Sequence, residues 1–358
     1  LISDIPGALY TLSTFYKKTE LGSRTSLFFL GNMLVSGVGG LLAAGILQIR
    51  GWLHPWQYLF LIEGLMAIFC ALLFLILLPD SPERPVPLFF SGLTLFTERE
   101  KEIIRARVVL DDVNKAKGRR PLTRKEIVDT LLHWRNYPHL LHAIACIGAT
   151  SAMGQYGPLL IKGFGFSTVR ANALSSVGGW IGLTVMITTG FISDRMKNKG
   201  YLVIALSVCS LTCWIACKYI PNIEHCSSNI PVQAKSSSAD KWAKYATLVC
   251  TTGFAMSWHP INATWLSLNQ KTPQQRAIAM AMFVMAANLG ALIGSQILRA
   301  RDSPKYPVGF RVCVSLIAFG TAVSIFQHFQ YRFSNERNEK KLANGEALRE
   351  DRPEVYVM

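Results

Sequence analysis

The sequence predicts an all-α fold, a polytopic membrane helix bundle with eight full spans plus one partial span. Three observations lead there. Eight apolar stretches, each about 20 residues long, fill most of the 358-residue chain, and that length matches a hydrocarbon core of roughly 30 Å at about 1.5 Å per helical residue. Hydrophobic residues make up 50% of the chain and charged residues only 16%. Finally, 37 Lys and Arg against 22 Asp and Glu leave a net charge of +15, yet the basic residues fall between the apolar runs. That is the pattern of cytoplasmic loops rather than of a nucleic-acid surface, so the lipid bilayer is the expected partner and nucleic acid is not.

The elements follow in order. Residues 5–16 resemble the last part of a spanning helix cut at its start. Full spans follow at 26–47, 56–79, 139–161, 173–192, 201–220, 245–268, 277–298 and 308–329. The segment 80–135 carries Arg84, Arg99, Lys101, Arg105, Arg107, Lys115, Lys117, Arg119, Arg120, Arg124, Lys125 and Arg135, which places it in the cytoplasm. One crossing per run then puts Lys17, Lys18 and Arg24, the turn with Arg195, Lys197 and Lys199, Lys271 with Arg276, and the tail after Tyr331 on the same side. The 299–311 loop departs from the rule, with four basic residues on the opposite side.

Within the central segment, Thr97 with Glu100 and Thr123 with Glu126 fit the capping-box spacing, so two short amphipathic helices joined by 115–121 are expected on the membrane surface. Residues 221–241 are polar and read as an outer loop, and 335–358 as a charged tail without periodicity. The expected organisation is therefore an incomplete N-terminal bundle (1–79), a cytoplasmic loop (80–137), a C-terminal six-helix bundle (138–330) and a disordered cytoplasmic tail (331–358).

No Gly-x-Ser-x-Gly, phosphate-binding Gly-rich loop or His-Glu-x-x-His occurs, so neither an enzyme nor an ATP-driven pump is expected, nor any cofactor. Cys209, Cys213 and Cys217 share a helix face without a His or acid among them, which reads as apolar packing rather than a metal site. A bundle of this kind moves a small-molecule substrate, passively or driven by an ion gradient.

Polar residues inside spans are the leads, because charge in hydrocarbon is costly. Glu63 is the acid deep within a span and suits a coupling or a structural role. In Trp258-His259-Pro260 the proline frees a carbonyl, as in the broken helices that line transporter cavities. His259 can titrate near neutral pH. Asn262, Trp265 and Asn269 share one face of the same helix, suiting either a substrate path or interhelical hydrogen bonding. Gln155 and Tyr156, beside Gly157-Pro158, form a second broken polar spot. Asn288 to Gly294 reads as close helix packing through small residues. Candidate substrate-binding residues are thus Gln155, Tyr156, Trp258, His259, Asn262 and Asn269.

Gly190, Asp194, Arg195 and Lys199 form the most specific string: an acid at a helix end followed by bases on a tight turn, suited to a charge latch between moving helices. This string resembles the Gly-x-x-x-Asp-Arg-x-x-x-Lys signature of the major facilitator superfamily, in its second-half copy. Leu61-Ile62-Glu63-Gly64 with Leu78-Pro79-Asp80-Ser81-Pro82, the stretch 13–24, and Asn269, Arg276 to Ala279, Asn288-Leu289-Gly290, Gly294 and Asp302 to Tyr306 look like the fungal anion:cation symporter family, the allantoate permease-like group. The resemblance covers nearly the whole chain up to about Asn335. It implies alternating access between two six-helix bundles, a small anionic substrate (allantoate, nicotinate, pantothenate or biotin), proton symport and a plasma-membrane address. It also implies that helices one to three and the start of helix four are missing here, an N-terminally truncated form. A non-transporting sensor or defective paralogue on the same fold is the alternative expectation.

Overall fold

The computed structural model describes residues 8, 11–12, 15–17, 20–46, 49, 51–77, 96–111, 123–219, 238–302, 306–344 and 355–358. Its helices are α1 (Leu21–Ile46), α2 (Pro55–Leu77), α3 (Glu98–Asp111), α4 (Arg124–Leu131), α5 (Tyr137–Gly163), α6 (Thr168–Arg195), α7 (Lys199–Tyr219), α8 (Ser238–Phe254), α9 (His259–Leu268), α10 (Pro273–Gly294) and α11 (Pro307–Ala343). There is no strand among the described residues. Among the described residues, six helices are long and apolar enough to cross a membrane: α2, α5, α6, α7, α10 and α11. The apolar stretch at 26–47 falls on α1, whereas the stretch at 245–268 is divided between α8 and α9. Most of the expected partial span at 5–16, the joint at 115–121 and most of the outer loop at 221–241 lie outside the described residues.

Helices α5 to α11 pack as one bundle. Its tightest seam is α5 against α10, where small residues let two backbones meet. A Cβ on Gly290 would stand 2.7 Å from the Ile144 carbonyl oxygen, and one on Gly294 would overlap the Gly148 carbonyl. This is the close packing expected of the Asn288–Gly294 string. The core between the helices holds Trp214, Trp258, Trp265, Phe283, Ile317 and Tyr331, each almost fully enclosed. Helix α1 joins the bundle chiefly along α6, the most extensive helix pair, and also touches α9. Helix α2, by contrast, is bare on nearly all sides, and Glu63 on it is exposed.

Both central-loop helices start where the capping boxes place them. Glu100 Oε2 accepts from Thr97 N at 2.8 Å and from Thr97 Oγ1 at 2.9 Å. Thr123 and Glu126 repeat the arrangement at the start of α4. Arg107 of α3 pairs with Glu20 just before α1, tying the loop to the membrane bundle. Within the stretch read as a tail, α11 runs on to Ala343, well beyond the last apolar stretch, and Tyr356 lies against the bundle, only 2% exposed. The run 336–343 is rich in Glu, Arg and Lys, good helix formers that extend α11 without an apolar stripe.

Candidate functional site: a cavity beneath a broken helix

The break between α8 and α9 shapes the site. Pro260 has no N–H, so the Met256 carbonyl takes the His259 N–H instead, at 3.2 Å. The Ala255 carbonyl is then met by Trp258 Nε1 at 2.8 Å and by Thr150 Oγ1 at 3.4 Å. These bonds satisfy the irregular backbone between α8 and α9. They also turn His259 toward a cavity of about 350 Å3.

The cavity lies where α1 meets the bundle. Phe29 of α1 closes one side, and the other walls come from α5, α6, α8, α10 and the 255–256 turn. The wall is mainly apolar, with Ile147, Met153, Met256 and Val284, and its polar groups are Thr150, Ser151, Thr252, His259 and Asn288. No charged side chain lines it among the described residues. His259 stacks on Phe283 at 5.0 Å and meets Phe29 edge-on at 4.8 Å. Its Nδ1 is buried and has no hydrogen-bond partner among the described residues. A buried ring nitrogen without a partner, on a side chain that lines a cavity, makes that side chain the candidate ligand group.

Of the sequence candidates, His259 alone lines this cavity. Trp258 is fully buried behind it, edge-on to His142 at 4.4 Å. Asn262 serves the bundle interior: its Oδ1 lies 2.6 Å from His139 Nδ1, and His139 Nε2 lies 3.1 Å from the Tyr331 hydroxyl. Asn269 caps the end of α9 and bonds Val357 through both side-chain amide atoms. Gln155 is exposed, and half-buried Tyr156 faces Tyr306 at 6.3 Å. Nothing among the described residues bonds Glu63. Phe29, Thr150 and Thr252 were not singled out in the sequence. Phe29 resembles any apolar residue of a span, and a Thr inside a helix gives no sign of which way it faces.

Of the residues expected to form a latch, Gly190 and Asp194 meet α1. Met196 N–H closes α6 on the Ile192 and Ser193 carbonyls, so Asp194 sits within the last helical turn rather than just past it. Asp194 Oδ2 accepts from Ser23 N at 3.0 Å. Ser23 is the third residue of α1, so its N–H lacks a partner within its own helix start. A carboxylate at a helix N-terminus also opposes the positive end of the dipole. Two glycines permit this approach: a Cβ on Gly22 would stand 2.6 Å from Asp194 Oδ1, and one on Gly190 2.6 Å from Ser26 Oγ. Lys199 is buried and donates to the Ser193 carbonyl, while Arg195 is exposed. Cys209 and Cys213 of the cysteine face are exposed and half-buried, and only Cys217 is enclosed.

Comparison with known proteins matches residues 3–295 to the Major Facilitator Superfamily. The uncharacterized transporter YIL166C of Saccharomyces cerevisiae is 29% identical over 342 residues, covering 94% of this chain and 60% of that protein. The MFS-type transporter cnsO of Penicillium expansum is 24% identical, over 93% of this chain and 62% of its own length. The chain therefore spans about 60% of the length of the curated relatives it matches. Among solved structures, the transporter FucP in its outward conformation superposes with a TM-score of 0.53 at 12% identity, covering 90% of this chain and 72% of FucP, a likeness of fold. A family match over most of the chain, on a helical bundle with the signature turn in place, makes this integral, multi-pass membrane protein a member of the Major Facilitator Superfamily, a family of transporters and not of enzymes.

Proposed function

We propose that the chain works as a secondary active transporter of small organic anions or vitamin-like nutrients, cycling by alternating access with protons as the coupling ion, at the plasma membrane. The observation that carries this reading is the cavity of about 350 Å3 at the junction of α1 with the C-terminal bundle. Alternating access places the substrate between two bundles. An apolar wall with a few convergent polar groups suits a ligand with a hydrocarbon body and one hydrogen-bonding head. His259, Thr150 and Asn288 are the groups that would meet the head. His259 is also the titratable residue on the wall, which makes it the candidate for proton coupling. Asp194 with Ser23, Gly22 and Gly190 is the candidate latch, since it joins α1 to α6 beside the turn leading into α7. The relatives' names say transporter and give no substrate. The anionic class therefore rests on the allantoate permease-like motifs.

The test is uptake by the purified chain in proteoliposomes under an imposed pH gradient, with labelled allantoate, nicotinate, pantothenate and biotin. Accumulation of one of these, abolished by a protonophore and reduced about tenfold or more by His259→Ala, is the expected result. Binding without accumulation would favour the non-transporting sensor. Neither binding nor uptake of any of them would remove the organic-anion reading.

A further inference from the structure

The segment 355–358 makes a set of bonds that transport at the cavity does not require. Tyr356 N donates to Asn335 Oδ1 at 2.7 Å, and Asn335 Nδ2 donates back to the Tyr356 carbonyl at 2.9 Å. Val357 N donates to Asn269 Oδ1 at 2.7 Å, and its carbonyl accepts from Asn269 Nδ2 at 3.1 Å and from Trp265 Nε1 at 2.7 Å. Consecutive residues of an extended chain point their amides to opposite sides. Two side-chain amides on different helices can therefore read the two residues as neighbouring strands would. Asn335 belongs to α11, while Trp265 and Asn269 belong to α9 and its C-terminal cap. The aromatic ring is fixed as well: Tyr356 stacks on Tyr331 at 5.0 Å and 14°, and the Arg135 guanidinium covers it at 5.3 Å.

We infer that the ends of α9 and α11 form a docking groove for an extended Tyr-Val peptide. The chain's own 356–357 segment fills it and acts as a removable clasp between the two helices. Selectivity comes from main-chain pairing on both edges plus an aromatic slot, the chemistry by which sheet edges take up extended peptides. The clasp bears on the cavity because α9 is short. His259 at its start lines the cavity, and Trp265 and Asn269 at its end hold Val357. With the clasp closed, α9 is bound to α11 through the peptide. With it open, α9 is held by its own packing and by the Asn262–His139 bond. The clasp is thus a control on the helix that presents His259 to the cavity.

Hydrogen–deuterium exchange on the full chain in detergent, without substrate, tests this independently of any transport. The amides of Tyr356 and Val357 are expected to exchange about tenfold or more slowly than an unstructured peptide of the same sequence. Val357→Pro removes one N–H from the segment and leaves the bundle unaltered. It should bring Tyr356 to the unstructured rate and speed exchange of the amides of α9 severalfold. Asn335→Ala should do the same from the groove side. Rapid exchange of Tyr356 and Val357 in the unsubstituted chain would overturn docking. Unchanged exchange in α9 after Val357→Pro would overturn the control of α9. Neither outcome depends on the substrate reading, which the uptake assay decides.

Discussion

Ser23 and Asp194 are 171 positions apart in sequence and 3.0 Å apart in space, backbone N to carboxylate Oδ2. This bond joins the first turn of α1 to the last turn of α6. It places a carboxylate in the last turn of α6, the unfavourable end for an acid, and points it at the first turn of α1, the favourable end. A carboxylate so placed acts between helices rather than within one.

The first prediction concerns that bond. A hydrogen bond to a charged group contributes about 1.5–3 kcal/mol, less where the pair is only part-buried as here. Asp194→Ala should therefore lower the Tm of the detergent-solubilised chain by about 2–5 °C. Asp194→Asn, which keeps an acceptor but no charge, should lie between the two. Equal Tm values for all three forms would mean that α1 and α6 are held by packing alone.

The second concerns the α5–α10 seam. Gly290→Ala would drive a methyl to 2.7 Å from the rigid Ile144 carbonyl oxygen, a clash only a shift of whole helices can relieve. Overpacking of this kind costs about 1–3 kcal/mol or more. Gly31→Ala on α1 and Gly64→Ala on α2 meet nothing within 4 Å and should be neutral or raise stability by up to about 1 kcal/mol through helix propensity. Thermal unfolding of the three variants checks the contrast. A stable Gly290→Ala protein would show that the two helices do not approach so closely.

The third separates a ligand group from a structural one on the same helix. Asn262→Leu leaves His139 Nδ1 buried without its partner at 2.6 Å, which costs about 1–3 kcal/mol and should appear as a lower Tm. His259→Ala removes a side chain whose Nδ1 has no partner among the described residues, so it should affect substrate binding far more than Asn262→Leu does. Isothermal titration with allantoate, nicotinate, pantothenate and biotin, beside unfolding curves, reads both. Should Asn262→Leu lose affinity with an unaltered Tm, the roles of the two residues would be reversed.

That contrast also shows where the sequence was informative. The helix break was legible because Pro260 lacks an N–H whatever surrounds it, and the starts of α3 and α4 were legible because a capping box closes within four residues. The Gly190–Lys199 string was legible as a helix end followed by a basic turn, but its partner Ser23 was not, because it stands 171 positions from Asp194. Asn262 and Asn269 were not separable from His259, because a polar residue in a span has the same sequence pattern whether it faces a cavity or a neighbouring helix. The 355–358 segment was illegible for a different reason. It is too short for periodicity, and its partners Asn335 and Asn269 stand 21 and 88 positions away.

The last prediction is a pH effect in the central loop. The Thr97 backbone N–H, and then the Thr97 hydroxyl, hold the Glu100 carboxyl below its ordinary range. A carboxylate whose folded pKa is depressed favours the folded form above its unfolded pKa, and the effect is lost as pH falls through the depressed folded value. Helix α3 should therefore keep its capped first turn at neutral pH and fray as pH falls below the ordinary carboxylate range. Amide exchange at Glu98 to Lys101, corrected for intrinsic pH dependence, should accelerate over that window. Thr97→Ala should fray the turn already at neutral pH and flatten the dependence. Arg107 of the same helix pairs with Glu20 just before α1, so Glu20→Gln is the needed control. If Glu20→Gln removes the pH effect and Thr97→Ala does not, the ion pair governs the start of α3 and the capping box does not.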